Sequence, residues 1–198
     1  MIEALAALIE RGGYAGIVLL TFVETIFPPL PSELFMPMAG YAAARGDLSL
    51  AGVIVSGTIG SLAGAWFWYG VGRAIGLDRA REIAARHGRW LTLHPRDIDR
   101  GTDWFDRYGG LVVLFGRMVP GIRSVVSVPA GIAHMPIGRF LLLSAIGTMV
   151  WTSLLMTAGY LLGAEYRRVA GWADPVSTLV IAALVGGYLY RLVNFKAD

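Results

Sequence analysis

The chain has 198 residues, of which 56% are hydrophobic and only 16% charged. A soluble domain carries about 25% charged residues, so this composition predicts a membrane protein with several spans. It contains no cysteine and only three scattered histidines, which excludes disulfides and thiolate metal sites and gives no basis for expecting a zinc site or other cofactor. The net charge of +3 is too small and too diffuse to indicate nucleic acid as a partner.

Residues 1–12 are expected to form a helix on the membrane surface. They begin without a basic residue and carry Glu3 and Glu10, so they do not resemble a cleaved signal peptide. The side on which the N-terminus lies stays open, and so does the alternative that these residues lengthen the first limb of the next element.

Residues 13–45 are predicted to form a re-entrant helical hairpin, which enters the bilayer and returns to the same side. Each of its two apolar limbs is shorter than the roughly 20 residues that a spanning helix needs. Proline ends a helix, and the limbs are separated by Pro28, Pro29 and Pro31. Broken backbone at membrane depth is tolerated only where protein or a wet cavity surrounds it.

Residues 48–72 are the first predicted span, with 25 residues and no charge. Residues 73–108 follow as a polar linker that contains eight arginines and six acids. Short amphipathic helices on the membrane surface are the expected structure of this linker. Because lysine and arginine concentrate on the cytoplasmic side of membrane proteins, we place the linker in the cytoplasm.

Residues 109–134 repeat the pattern of the first hairpin, with an apolar run that Pro120 interrupts. Further spans are predicted over residues 139–163 and 175–192, which returns the C-terminus to the cytoplasm. The predicted fold is an all-α polytopic membrane protein. It consists of two re-entrant hairpins, each followed by a transmembrane helix, and a C-terminal transmembrane helix.

The two hairpins correspond in sequence, since the first reads FVETIFPPLPSELFMPMAG from Phe22 and the second FGRMVPGIRSVVSVPAG from Phe115. Each has a phenylalanine, an ion two residues later, prolines, a second ion and a final Ala-Gly. A hairpin does not cross the membrane and the following span crosses once, so the second unit enters from the opposite side. This predicts an inverted repeat, which in many transporters places the substrate at the midplane. Chance similarity between two proline-rich apolar stretches is the alternative.

The hairpins carry opposite charges in apolar surroundings, with Glu24 and Glu33 in the first and Arg117 and Arg123 in the second. A charge at the centre of a spanning helix costs about 2.5–3.5 kcal/mol on insertion scales. We therefore expect these four residues to pair or to face water. If the hairpin tips meet, the acids of one half face the arginines of the other.

The second hairpin resembles the signature of the DedA family, whose domain is shared with the eukaryotic VTT-domain lipid scramblases. The matching residues downstream of it are Met135, Phe140, Trp151 and Gly159. The first half matches through Glu24, the PPLPSE motif, Ala39-Gly40 and the YGVGR motif of residues 69–73. The resemblance covers about residues 14–163.

This resemblance implies a bacterial inner-membrane protein that moves a lipid. Members of the family are implicated in returning undecaprenyl phosphate across the membrane, and others are linked to phospholipid movement and to dependence on the proton motive force. It also implies that Glu24, Glu33, Arg117 and Arg123 are the functional charges. The expected partners are an anionic membrane lipid, either a polyprenyl phosphate or a phospholipid, together with protons and the bilayer.

The chemistry of these residues suits such a substrate, because the planar guanidinium donates two parallel hydrogen bonds to a phosphate. The acids would hold the arginines when the site is empty, and a displaced, desolvated carboxylate would take up a proton. The small residues of the first span recur every fourth position, at Gly52, Ser56, Gly60 and Gly64. They pack helices closely, either within the fold or between copies in a homo-oligomer.

Other interpretations remain open from the sequence. The ions could be structural pairs that only hold the hairpins together. The acids alone would suit a proton-coupled exporter of small cations or drugs. A membrane lipid phosphatase is a further alternative, although such chemistry usually uses a histidine nucleophile or a His–Asp pair, and no such constellation is visible. We therefore expect no hydrolase activity.

Overall fold

The computed structural model describes residues 2–27, 32–91, 95–119 and 122–162, and within them every regular element is an α-helix. The helices are α1 Ile2–Ile26, α2 Ser32–Ala44, α3 Leu50–Leu91, α4 Pro95–Gly116, α5 Ile122–Val125, α6 Ser127–Ile132 and α7 Ile137–Leu162. The predicted C-terminal span, residues 175–192, lies outside the described residues.

Helices α1 and α2 occupy the predicted surface helix and first hairpin. Inside α1 the backbone is non-helical at Gly13, with φ 52° and ψ −133°, at the boundary predicted between these two elements. A short turn with Gly46 at φ 85° then connects α2 to α3. Only glycine takes such positive φ angles without strain, and a glycine lies at each of these two bends.

Helix α3 covers 42 residues, and its backbone bends at Gly76, where φ is 67°, four residues after the predicted end of the first span at residue 72. Its continuation is polar but favourable for a helix, since Asp78 and Glu82 pair with Arg81 and Arg86 at spacings of three and four residues. Asp99 on α4 accepts a 2.7 Å hydrogen bond from Arg81 Nε and ties the two helices together. The predicted linker therefore divides between the end of α3 and the beginning of α4.

Helix α4 continues from this linker into the second predicted hairpin. It is amphipathic, with Phe105 and Val113 buried and Asp103 and Arg107 exposed. The short helices α5 and α6 complete the second hairpin region, and Pro120 lies outside the described residues.

Two of the described helices are long and apolar enough to cross a membrane, Leu50–Arg86 and Ile137–Leu162. In their most apolar 18-residue windows only 44% and 33% of the residues, respectively, are buried in the protein. More than half of the residues in each window are therefore at least partly accessible, and apolar surface accessible on this scale is typical of contact with lipid.

Helices α3 and α7 pack against each other in antiparallel directions. Thr58 hydrogen-bonds Thr152 at 3.2 Å near one end of this contact. Near the other end the rings of Tyr69 and Phe140 stack, with centroids 4.6 Å apart. Later residues of α3 thus meet earlier residues of α7.

The small-residue face of α3 packs within the fold, against α1. A Cβ on Gly60 would collide with the backbone oxygen of Val18, and a Cβ on Gly64 would lie 2.6 Å from the Cβ of Thr25. Since the face is covered by α1 of the same chain, these glycines serve the internal packing that was one of the two expected roles.

Four further glycine contacts connect each predicted hairpin with the long helix of the other half. Gly40 on α2 meets the backbone oxygen of Met156 on α7, and Gly159 meets that of Pro37. Gly131 on α6 meets the backbone oxygen of Tyr69 on α3, and Gly72 that of Val128. In all four cases an added Cβ would overlap a carbonyl group, so the backbones approach this closely only through glycine.

Candidate functional site

Glu24 lies near the end of α1, on the face that the protein buries. Ile17, Leu20 and Thr21 precede it on this face, and Glu24 itself is 4% exposed. The one-turn spacing of these positions explains why an acid in this apolar helix points inward.

Arg123 on α5 donates a hydrogen bond through Nη2 to Oε1 of Glu24, and the two side chains form a buried ion pair. Both are nearly inaccessible, with 8% and 5% of the side-chain surface exposed. The pair connects the two predicted hairpins across 99 positions of sequence. A buried charge needs such a partner, because ionised groups away from water are very unfavourable when alone.

Arg117 follows the last residue of α4 and is 2% exposed. Its Nη2 donates a 2.6 Å hydrogen bond to Ser127 Oγ at the start of α6. Its guanidinium carbon lies 5.7 Å from the centre of the Phe140 ring, within the range of a cation–π contact. Tyr69 stacks on the same ring, so α3 and α7 together hold the surface beneath the guanidinium.

The three charges form one electrostatic unit. Arg117 is repelled by Arg123 and attracted by Glu24. Arg117 Nε is buried and has no hydrogen-bond partner among the described residues. An N–H donor of a buried cation is therefore available to an anion in this unit.

The structure brings together three of the four charged residues that were predicted from the sequence as site residues: Glu24, Arg117 and Arg123. Glu33 is the second residue of α2, and its side chain lies outside the described residues. The same holds for Pro28, Pro29, Pro31 and Pro120, so the predicted hairpin breaks stay predictions.

Sequence reasoning missed the roles of Ser127 and Phe140, which contact Arg117 directly. Serine and phenylalanine are ordinary residues in apolar helices, so neither composition nor spacing distinguishes them. The available signal was that both belong to the sequence pattern on which the family resemblance depends.

This arrangement is suited to binding an anion whose charge is concentrated on oxygen atoms. Arginine presents several N–H donors in a fixed plane, and in a dry site their interaction with an anion is stronger than in water. In the part of the chain that the structure describes, no group of three or more His, Asp or Glu side chains could hold a metal ion.

The fold and this site define a helical membrane protein with a buried cluster of opposite charges. Residues 30–161 match the VTT domain, and the chain belongs to the VTT-domain family, also known as the DedA family. It is 28% identical to Protein DedA of Escherichia coli (strain K12), covering 96% of this chain and 86% of the relative.

Two further relatives cover almost the whole chain. The chain is 38% identical to the "Alkaline phosphatase-like protein" of Lactococcus lactis subsp. cremoris (strain MG1363), over 98% of this chain and 92% of the relative. It is 31% identical to "Undecaprenyl phosphate transporter A" of Bacillus subtilis (strain 168), over 98% of this chain and 94% of the relative. No solved structure matches the chain at a significant level.

Proposed function

We propose that this protein moves an anionic lipid with a phosphate head group across the bacterial inner membrane. The preferred substrate is a polyprenyl phosphate such as undecaprenyl phosphate, and a phospholipid is the alternative. The observation that carries this proposal is the buried unit of Glu24, Arg117 and Arg123, in which Arg117 Nε has no partner among the described residues. The name of the Bacillus subtilis relative supports the same substrate.

In the proposed mechanism the phosphate binds to Arg117 and then competes with Glu24 for Arg123. Guanidinium groups bind phosphate and carboxylate through the same donors, so one anion can replace the other. Glu24 then takes up a proton once it leaves its counter-ion, which couples lipid movement to the proton gradient. Glu33 is the second proposed proton-coupling acid.

An inverted repeat is part of the proposal, and the reciprocal glycine contacts support it. Gly40 and Gly131, which correspond in the sequence alignment of the two hairpins, each pack on the long helix of the opposite half. Two halves related by a pseudo-two-fold axis in the membrane plane produce such exchanged contacts. In this arrangement the hairpins are re-entrant, the charge cluster lies near the midplane, and the linker and C-terminus are cytoplasmic.

The test is a leaflet-exchange assay with purified protein in lipid vesicles. A fluorescent polyprenyl phosphate and a fluorescent phospholipid are compared, each with and without a pH gradient. We expect exchange only with protein present, and a rate at least about tenfold lower for Arg117→Lys, because lysine cannot reproduce the planar fork. Arg107→Lys, the same change at an exposed arginine of α4, is the matched control and should exchange lipid at the wild-type rate.

A wild-type rate for Arg117→Lys would show that the arginine does not bind the head group. No exchange of either lipid by the wild-type protein would contradict the proposal as a whole.

The name of the Lactococcus lactis relative keeps a phosphatase as the second candidate. A phosphatase would release inorganic phosphate from a polyprenyl pyrophosphate, whereas a transporter would leave the lipid intact. Phosphate release by the same purified protein, measured alongside lipid exchange, separates the two functions.

A further inference from the structure

Ser144 on α7 is completely buried, and its hydroxyl oxygen has no hydrogen-bond partner among the described residues. A buried hydroxyl without a partner is unfavourable, and native proteins contain few of them. The other such atoms among the described residues are Ser61 Oγ, Trp151 Nε1 and Arg117 Nε, and the last of these belongs to the buried charge unit. The unpartnered atoms of Ser144 and Arg117 call for an explanation.

The two unpartnered atoms belong to one packing contact. A Cβ on Gly147 would lie 2.9 Å from the Cβ of Arg117, so the base of the arginine side chain rests on α7 at that position. Its guanidinium carbon lies 5.7 Å from the Phe140 ring. The side chain therefore extends along α7 from residue 147 toward residue 140.

Ser144 lies between these two points on the same face of α7. Residues four and seven positions apart share one side of a helix, and Phe140, Ser144 and Gly147 are all buried there. Three residues of α-helix rise about 4.5 Å, which places Ser144 beside the aliphatic and Nε portion of Arg117. Yet no hydrogen bond joins Ser144 Oγ to Arg117 Nε, since each lacks a partner among the described residues.

We infer that Ser144 is a further substrate-binding residue, whose hydroxyl and the Nε–H of Arg117 together bind one oxygen of a phosphate group. Nε–H donates to that oxygen, and the serine hydroxyl donates to it from the α7 side. Nη2 of Arg117 already donates to Ser127, which fixes the orientation of the guanidinium. This inference rests on the proposed function, because it names how the same site takes its phosphate.

The two states of the protein make opposite demands on Ser144. Without ligand, Ser144→Ala removes a buried polar group that has no partner, so stability should stay the same or rise. With a phosphate bound, the same change removes a hydrogen bond to a charged group, which weakens binding by about tenfold. A serine without a role in binding would show the same stability effect in the absence of ligand and no loss of binding.

The experiment measures the unfolding temperature of detergent-solubilised protein against increasing concentrations of farnesyl phosphate, with farnesol as the uncharged probe. Inorganic phosphate, tested in parallel, separates recognition of the phosphate group from binding of the farnesyl hydrocarbon chain. We expect farnesyl phosphate to stabilise the wild-type protein and farnesol to leave it unchanged. Ser144→Ala should need about tenfold more farnesyl phosphate for the same shift.

Thr152→Val is the matched control on the same helix. The Thr152 hydroxyl is buried but fully used, since it donates to Thr148 O and Met149 O and hydrogen-bonds Thr58. This variant should lower the unfolding temperature without ligand and keep the wild-type response to farnesyl phosphate. Ser144→Ala should therefore weaken binding without lowering stability, whereas Thr152→Val should lower stability without weakening binding.

A wild-type response in Ser144→Ala overturns the inference. If Arg117→Lys loses the response in the same experiment, the proposed phosphate site stands and Ser144 is not part of it. If Arg117→Lys also keeps the wild-type response, the proposed phosphate site fails together with the inference.

Discussion

At the scale of single residues, the buried pair of Glu24 and Arg123 is a structural connection, and in the proposed mechanism it also competes with the substrate phosphate. The carboxylate satisfies the arginine in a place that water does not reach. Breaking such a pair from one side leaves an uncompensated charge, whereas replacing both partners by apolar residues is often neutral. Stability and transport should therefore respond differently to single and double replacements.

We predict that Glu24→Gln lowers the free energy of unfolding by about 3–5 kcal/mol, because Arg123 then remains buried without its counter-ion. The double variant Glu24→Leu with Arg123→Met should recover most of this loss and still fail to move lipid. Denaturant unfolding in detergent, together with the leaflet-exchange assay, measures both quantities. Asp78→Asn removes a carboxylate from an exposed ion pair and should behave like the wild-type protein.

A double variant that is as unstable as Glu24→Gln would contradict this account of the pair. A stable double variant that transports lipid at the wild-type rate would show that the charges serve only packing.

The charged part of the site could be predicted from sequence, whereas its uncharged part could not. An acid or an arginine in an apolar stretch is costly unless it has a partner. This requirement made Glu24, Arg117 and Arg123 recognisable from the sequence. Ser127, Phe140 and Ser144 have no such requirement, because serine and phenylalanine are equally common in helices that have no site. The contacts of Ser127 and Phe140 with Arg117, and the proposed role of Ser144, follow from the packing of α6 and α7 on Arg117.

At the scale of whole helices, four glycines set how closely the two halves approach. The reciprocal contacts of Gly40 with α7 and of Gly131 with α3 leave no space for a side chain. The length of α3 was harder to predict, since the helix resumes after a bend at Gly76 (φ 67°) and continues through charged residues that favour a helix as well as apolar ones do. The end of the apolar stretch at residue 72 lies close to this bend, well before the end of the whole element at Leu91.

We predict that Gly40→Ala and Gly131→Ala each lower the free energy of unfolding by about 1–3 kcal/mol, because the added methyl group overlaps a backbone carbonyl. Thermal unfolding of the purified variants measures the effect. Gly70→Ala is the control on α3, since no heavy atom lies within 4 Å of an added Cβ there. This variant should leave stability unchanged or raise it slightly, because alanine has a higher helix propensity than glycine. Equal effects at Gly70 and Gly131 would rule out close packing as the cause.

At the scale of the whole molecule, the proposed inverted repeat fixes which parts of the chain share a side of the membrane. The distance from Leu50 to Gly72 along α3 is about 33 Å at 1.5 Å per residue, which is sufficient to cross a hydrocarbon core of about 30 Å. The turn before α3 and the linker after it must then lie on opposite sides. The chain contains no cysteine, so a single introduced cysteine reports its own position without background.

We predict that Asp47→Cys reacts with a membrane-impermeant maleimide in intact cells, whereas Asp103→Cys reacts only after the membrane is permeabilised. Gly138 lies at the exposed start of α7, where an added Cβ would meet no other side chain within 4 Å, so Gly138→Cys should behave like Asp103→Cys. The reason is that the second hairpin begins and ends on the linker side, while the first begins and ends opposite to it. If Asp47→Cys and Gly138→Cys are labelled from the same side, the two halves are not inverted. The charges of Glu24 and Arg123 would then meet in a different topology, and alternating exposure of one midplane site could not follow from the symmetry of the fold.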